Sequence, residues 1–395
     1  MKRKNGFYLL LIILFLAFFI RSFGLNQPFY DDEIDYIKGI YEPDKFGLNP
    51  AVVLPPLTSW INKLVGLFFG TEYWIFRFVM LLFGLGTIIL TYLISMQIYK
   101  NQKSALLAVT IMSFSFYHIL ASLQMGEEGS SLTFFMALFV YIYIIYKKNN
   151  SFNYLLLLGF IFGVSILIKS NAILILGVIG VYEFWINRKD NPKLIIMKLF
   201  KLVTPILLIG LLMFSIFPIL SYLGDSYIWT AFITHMGART TMAFSFLGFS
   251  MFLFWATPFL IGLFLVSIRK VNKDNNLFII WFFLIFLFYT FGSTNGDFSR
   301  YYMNLIVPIS LISGNFLAKI KWEPSYLYQG GFIFIIFYLF FNRLNQGVFG
   351  FVPRLMEYYI PNLTNFNWNF LFTYTSSSGP MFMISFSSII IAFII

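Results

Sequence analysis

Long apolar runs separated by short polar loops dominate the pattern of this chain of 395 residues. The runs are about fifteen to twenty-five residues long, the length that a helix needs to cross the hydrocarbon core of a bilayer. The predicted fold class is therefore an all-α polytopic membrane protein. We predict twelve membrane-spanning helices, at 7–25, 73–99, 105–122, 130–146, 154–168, 171–187, 203–222, 248–268, 277–291, 302–318, 326–341 and 381–395.

The composition agrees with this pattern and excludes a soluble globular protein. Hydrophobic residues make up 59% of the chain, charged residues only 11%, and the mean hydropathy is +0.81. The net charge of +11 comes from basic residues in short loops between spans, so we attribute it to membrane topology and predict no nucleic-acid partner. Because the chain has no cysteine, disulfides, thiolate nucleophiles and cysteine-based metal sites are excluded.

The distribution of basic residues predicts the orientation. Placing the N-terminus in the cytoplasm puts most of the 27 Lys and Arg residues in cytoplasmic loops. The start resembles a secretory signal, but Arg21-Ser22-Phe23-Gly24 lacks a small-x-small cleavage site, so we interpret the first run as a retained helix of a multi-pass cell-membrane protein. The loops predicted outside are longer, and functional sites concentrate in such loops. They are 26–72, 223–247 and 342–380 within a single transmembrane domain, 1–395.

The first outer loop contains a further apolar segment. It begins with Leu54-Pro55-Pro56-Leu57 and continues as an apolar and aromatic stretch at 61–69, which is too short to span a bilayer. We predict an amphipathic helix there, lying in the membrane interface.

Two acidic clusters on the predicted outer face are candidates for chemistry. Asp32 and Glu33 belong to a group of four carboxylates in five residues, and such neighbours compete for ionisation so that one acquires the pKa of a general base. The alternative is a solvated helix start that keeps the loop out of the membrane. Glu127 and Glu128 form the second cluster, for which capping of the next helix is the alternative.

Five cations lie at the outer ends of predicted helices and complement these carboxylates. Any one of them alone fits a snorkelling side chain, but five on the acidic face indicate an anionic ligand such as a lipid phosphate. They are Arg21, Arg77, Lys169, Arg239 and Arg300. His118 is interpreted as a packed core residue and His235 as the better candidate, yet two distant histidines make no metal signature. We predict no obligatory cofactor, although the acidic clusters offer carboxylates to a divalent cation.

Several motifs along the chain resemble the glycosyltransferase family 39 group of the GT-C superfamily. This group includes protein O-mannosyltransferases and the aminoarabinose transferase that acts on lipid A. The motifs occur in the family's order: Asp32-Glu33-Ile34-Asp35-Tyr36, Pro55-Pro56-Leu57, Phe76-Arg77-Phe78 leading to Phe83-Gly84, the stretch from Gly159 to Lys169, and Arg300-Tyr301-Tyr302 with Pro308.

The resemblance implies a role for each matching residue. Asp32 would be the catalytic base, with Glu33 orienting the site and with Arg21 and Arg77 supporting the loop. Glu127 or Glu128 would correspond to the family's second outer acidic residue. The donor phosphate would be bound by Arg300, Lys169, Arg239 and Tyr301.

The sequence thus predicts an inverting glycosyltransferase that moves a sugar from a polyprenyl-phosphate carrier to a hydroxyl acceptor outside the cytoplasm. The acceptor would be a lipid, a glycan or a protein, and membrane lipids would surround the bundle. Two alternatives remain open: a transporter or flippase of a lipid-linked sugar, and a non-catalytic membrane subunit. Transporters commonly carry repeated halves and binding residues near the bilayer midplane. This sequence contains no clear repeat, and its ionisable residues cluster toward one face.

Overall fold

The computed structural model describes residues 3–26, 32–42, 46–49, 54–125, 129–238, 258–269, 273–291, 299–321, 323, 374–376 and 379–381. Its helices are α1 (Arg3–Ser22), α2 (Asp32–Tyr41), α3 (Leu57–Phe69), α4 (Tyr73–Tyr99), α5 (Gln102–Phe114), α6 (Phe116–Leu123), α7 (Ser130–Asn149), α8 (Phe152–Ile168), α9 (Leu174–Asn187), α10 (Pro192–Phe214), α11 (Ile216–Leu223), α12 (Ile228–Ala238), α13 (Pro258–Arg269), α14 (Asn276–Phe291) and α15 (Ile306–Lys319). Three short 3₁₀ segments, Ser170–Ile173, Lys273–Asn275 and Ser299–Leu305, precede α9, α14 and α15.

The predicted helical membrane fold is confirmed. Within the described ranges, seven helical segments are long and apolar enough to cross a membrane, or eight if the bent pair α5 and α6 forms one span. Every predicted span from 7–25 to 302–318 overlaps a described helix. The total of twelve spans stays a prediction, because 326–341 and nearly all of 381–395 lie outside the described residues.

Three details differ from the sequence-based prediction. The span predicted at 203–222 begins at Pro192, because the Asn191 side chain caps the helix by accepting from the Lys193 backbone N–H at 3.0 Å. The predicted span 105–122 is bent by 61° between α5 and α6. A two-stranded antiparallel hairpin, Tyr374–Ser376 with Gly379–Met381, lies at the end of the predicted loop 342–380 and includes the first residue predicted for the last span.

Glycines bring the central helices into close contact. A Cβ at Gly163 of α8 would lie 2.4 Å from Met213 Sδ, and one at Gly314 of α15 would lie 2.4 Å from the backbone nitrogen of Ala108 in α5. Small residues at helix interfaces are the usual means by which helices pack in a membrane, where hydrophobic exclusion from water is absent. Gly159 and Gly163 of the family-like motif therefore serve the packing of α8 on α10.

The first loop covers one end of this bundle. Helices α2 and α3 pack on each other, α3 also contacts α4 and α8, and the 3₁₀ segment Ser299–Leu305 contacts α6 and α7. Elements that carry predicted site residues therefore meet at the same end.

Candidate active site at one end of the bundle

A buried ion pair joins the acidic motif to the bundle. Arg77 of α4 donates in a forked geometry to the Glu33 carboxylate, with Nη1 2.9 Å from Oε1 and Nη2 2.6 Å from Oε2. The Arg77 side chain is fully buried and that of Glu33 is 5% exposed. Two charges removed from water in this way are stable only when their hydrogen bonds are satisfied, and here the fork satisfies both carboxylate oxygens.

The end of α6 completes this network. The backbone N–H of Met125 donates to Glu33 Oε1 at 2.7 Å, and Arg77 Nη1 also donates to the Leu123 carbonyl oxygen. The last carbonyls of a helix have no partner inside it, so Arg77 satisfies a group that would otherwise be buried and unpaired. Glu33 and Arg77 thus fix the first turn of α2 against α4 and α6.

Arg21 lies at the bend between α5 and α6. Its Nη1 donates to the backbone oxygens of Ala17 and Ser113, at 2.9 and 3.0 Å, and its Nη2 lies 2.8 Å from His118 Nδ1. Arg21 and His118 are both fully buried. Among the described residues, Arg21 therefore contacts α5 and α6 rather than the first loop, and His118 is a packed residue, as predicted.

Asp32 is the first residue of α2, directly before Glu33. Its side chain lies outside the described part of the chain, but its backbone position follows from the anchoring of Glu33. Further along the same helix, Tyr36 is 3% exposed and packs with Phe76 and Met125. The motif therefore places Asp32 at the start of a helix whose inner face is held by Glu33 and Tyr36.

A second polar cluster surrounds the end of α8. The Lys169 ammonium lies 5.1 Å from the centroid of the Tyr301 ring, a cation–π geometry, and Lys169 is 4% exposed. Tyr301 packs on Tyr289 with centroids 5.3 Å apart, and Asn171 Nδ2 donates to the Tyr289 hydroxyl at 3.0 Å. The structure thus brings together Lys169 and Tyr301, two of the residues predicted to bind the donor phosphate.

Two elements connect the clusters. Helix α6, which binds Glu33 and Arg77, contacts the 3₁₀ segment that contains Tyr301. Helix α3 packs on α2 and α4 at one side and on α8 at the other. The carboxylate motif and the buried lysine therefore belong to one region of the protein.

The remaining predicted residues fall outside what the structure describes. Arg239, Glu127 and Glu128 are not among the described residues, and for Arg300 only the backbone is described, in the same 3₁₀ segment as Tyr301. Within the described ranges, no three His, Asp or Glu side chains gather in the way that a metal ion would require.

Helix α3 has a polar inner face that was not predicted from the sequence. Thr58 and Asn62 are 2% and 0% exposed, whereas Leu67 and Phe68 on the outer face are 73% and 75% exposed. A helix at 61–69 was predicted correctly, although it begins at Leu57 and its interfacial location stays a prediction. The available signal was the i, i+4 spacing of Thr58 and Asn62 in an otherwise apolar helix.

A comparison with protein families supports the resemblance found in the sequence. Residues 53–222 match the family model described as dolichyl-phosphate-mannose-protein mannosyltransferase. Two uncharacterized proteins of Aquifex aeolicus are also similar. One is 25% identical over 347 residues, covering 84% of this chain and 78% of the relative; the other is 29% identical over 182 residues, covering 44% and 35%.

Solved structures with the same fold include two membrane enzymes. ArnT from Cupriavidus metallidurans, bound to undecaprenyl phosphate, matches with a TM-score of 0.69 and 15% identity, over 82% of this chain and 63% of that chain. The oligosaccharyltransferase AglB from Archaeoglobus fulgidus, in complex with an inhibitory peptide and a dolichol-phosphate, matches with a TM-score of 0.52 and 11% identity. That match covers 100% of this chain and 56% of AglB, so the chain spans less than two thirds of either enzyme.

Proposed function

We propose that this chain is an inverting glycosyltransferase. It would take a sugar from a polyprenyl-phosphate donor and transfer it to a hydroxyl acceptor on the extracytoplasmic side. The family match over residues 53–222 supports its resemblance to the glycosyltransferase family 39 group, and its fold is of the GT-C type. The bound lipids support this donor class, because the ArnT structure is bound to undecaprenyl phosphate and the AglB structure is in complex with a dolichol-phosphate.

The observation that carries the proposal is the anchoring of Glu33. Because Arg77 and Met125 occupy both of its oxygens, Glu33 is a structural group that fixes the first turn of α2. Asp32, one residue before it, is the carboxylate to which the family resemblance assigns the role of catalytic base. A catalytic base must be held within hydrogen-bonding reach of the acceptor, and a rigid helix start supplies such positioning.

The chemistry follows from this assignment. The acceptor oxygen attacks the anomeric carbon while Asp32 takes the hydroxyl proton. The bond between that carbon and the phosphate oxygen breaks on the opposite face, and its electron pair leaves with the lipid phosphate. Lys169, with Arg300, Arg239 and Tyr301, would stabilise the charge that develops on this phosphate. Direct displacement inverts the anomeric centre.

Transfer of radiolabelled sugar from a panel of polyprenyl-phosphate sugars to membrane extracts tests the proposal. The purified wild type is compared with Asp32→Asn, and Asp35→Asn is the matched control because Asp35 is exposed and paired with Lys38 at 2.9 Å. We expect Asp32→Asn to lose at least about a hundredfold in kcat, the contribution typical of general-base catalysis, and Asp35→Asn to keep its activity.

Equal transfer by wild type and Asp32→Asn would remove Asp32 from the mechanism. Donor binding by the wild type without transfer to any extract would favour the flippase alternative. A β-configured product from a β-linked donor would contradict inversion.

A further inference from the structure

The inner face of α3 carries polar groups without a partner. Asn62 is fully buried, and neither its amide oxygen nor its amide nitrogen has a hydrogen-bond partner among the described residues. One turn earlier, the hydroxyl of Thr58 is also buried and unpartnered in the described part of the protein. Both side chains lie on the same stripe of the helix, because residues four apart face the same way.

Such an arrangement is costly in the absence of a ligand. A buried amide that loses its hydrogen bonds to water destabilises a protein, so nearly all buried polar groups have partners. Three other buried amides of the described bundle each have at least one partner: Asn275 Oδ1 accepts from Tyr99 at 2.7 Å, Asn315 Oδ1 lies 3.4 Å from Ser104 Oγ, and Asn304 Nδ2 donates to the Tyr301 carbonyl oxygen at 3.3 Å. Asn62 differs from them in offering a free donor and a free acceptor side by side.

The position of Asn62 connects it with both clusters of the candidate site. Gly66, one turn after Asn62, faces Ile40 of α2 and Phe76 of α4, with a Cβ there lying 3.6 and 3.4 Å from them. Phe76 directly precedes Arg77, which binds Glu33. At its N-terminal end, α3 contacts α8 and packs Leu57 against the cluster that contains Leu167, two residues before Lys169. The stripe therefore lies between the carboxylate motif and the buried lysine.

We propose that Asn62 and Thr58 form a subsite for sugar hydroxyl groups in the proposed transfer reaction. Vicinal hydroxyls donate and accept at neighbouring positions, which is the complement of one amide plus one hydroxyl. A neutral subsite also fits the proposed division of roles, because Lys169 is the phosphate-binding cation candidate whose side chain the structure describes and the sugar ring requires no cation. This inference rests on the proposed function, since it names the residues that recognise the transferred or accepting glycan.

The first experiment does not depend on activity. Thermal unfolding in detergent is measured for Asn62→Leu and for the matched control Asn315→Leu, which removes a buried amide that has a partner. We expect Asn62→Leu to keep or raise the Tm, because replacing an unpaired amide by an apolar group of similar size removes a desolvation cost, and Asn315→Leu to lower it. A Tm of Asn62→Leu that falls as far as that of Asn315→Leu would mean that Asn62 serves the fold, which overturns the subsite.

The second experiment isolates the sugar. Binding of bare undecaprenyl phosphate, and the KM values for the sugar donor and the acceptor that the wild type uses, are compared for the wild type and Asn62→Leu. We expect Asn62→Leu to bind the bare lipid normally and to raise the KM for either the donor or the acceptor by about tenfold or more, the effect of losing about two neutral hydrogen bonds. A KM change for the donor assigns the subsite to the transferred sugar, and one for the acceptor assigns it to the accepting glycan.

Unchanged KM values for both substrates in Asn62→Leu would overturn the subsite while leaving the proposed function intact. Failure of the wild type to bind the bare lipid or the lipid-linked donor would overturn the proposed function and the subsite with it.

Discussion

At the scale of single residues, neighbouring carboxylates of one motif have different environments. Glu33 is buried and forms a forked pair with Arg77, whereas Asp35 is exposed and pairs with Lys38. Removing one partner from a buried pair leaves an uncompensated charge, while exposed pairs contribute little because water screens them. A carboxylate therefore serves the fold at one position and only the surface at the other.

This contrast predicts the stability of two variants. Arg77→Met is expected to lower the free energy of unfolding by about 3–5 kcal/mol, because Glu33 would remain buried without its cation. Lys38→Met is expected to change it by no more than about 0.5 kcal/mol. Chemical unfolding in detergent compares the two, and the double variant Glu33→Leu with Arg77→Met should recover part of the loss. Equal losses in both single variants would contradict the anchoring role of Arg77.

At the scale of elements, close helix contacts depend on positions without a side chain. A Cβ at Gly314 would collide with the backbone of Ala108 in α5, which cannot move aside as a flexible side chain would. Gly180 in α9, in contrast, has nothing within 4 Å of the place where a Cβ would lie. Helix packing, rather than helix propensity, therefore decides whether each of these two glycines can be replaced by a residue with a side chain.

Alanine substitution at both glycines tests this interpretation. We expect Gly314→Ala to destabilise the protein by about 1–3 kcal/mol, the usual cost of overpacking, because α5 and α15 must separate. Gly180→Ala should be neutral or slightly stabilising, since alanine favours a helix. The Tm of the two purified variants provides the comparison, and a loss of stability in Gly180→Ala equal to that in Gly314→Ala would argue against a contact-specific effect.

At the scale of the whole molecule, the two ends of the bundle carry different polar groups. One end contains the Glu33 and Lys169 clusters. Toward the other end of α9, Glu183 accepts from Lys147 at 2.7 Å and from Asn187 at 3.1 Å, and Lys198 pairs with Asp190 at 2.7 Å. The density of basic residues at this second end matches the end that the positive-inside rule assigns to the cytoplasm.

Labelling of single introduced cysteines measures the orientation of the protein in the membrane. Because the chain has no cysteine of its own, the wild-type protein is an unlabelled control. In intact cells, a membrane-impermeant maleimide is expected to label Lys38→Cys on α2. Lys189→Cys, in the exposed turn after α9, should react only after the membrane is permeabilised. The reverse labelling pattern would place the candidate site in the cytoplasm and contradict the proposed sidedness.

Some features of this protein follow from the local sequence, whereas others depend on tertiary packing. Hydrophobic run length determines the helical spans directly, because each helix satisfies its own backbone hydrogen bonds and only its length and apolarity matter in lipid. For the same reason each span predicted up to 302–318 overlaps a described helix, and the short helix in the first loop was also predicted, although only seven or eight of the described segments are long and apolar enough to cross a membrane. The order of the motifs was also readable from the sequence, and it led to the family 39 resemblance.

The tertiary structure alone decided which charged and polar groups meet. Arg77 and Glu33 are 44 positions apart in the sequence, and Arg21 and His118 are 97 positions apart. No local sequence pattern therefore pairs these residues. The bend between α5 and α6, the partner of Lys169 and the inward direction of Asn62 likewise depend on helices packing from distant parts of the chain. Sequence by itself determined that the chain is a bundle of apolar helices, because helix formation in lipid depends on local apolarity. Packing decided how the site is built, because a buried charge or amide is positioned by whichever distant groups surround it.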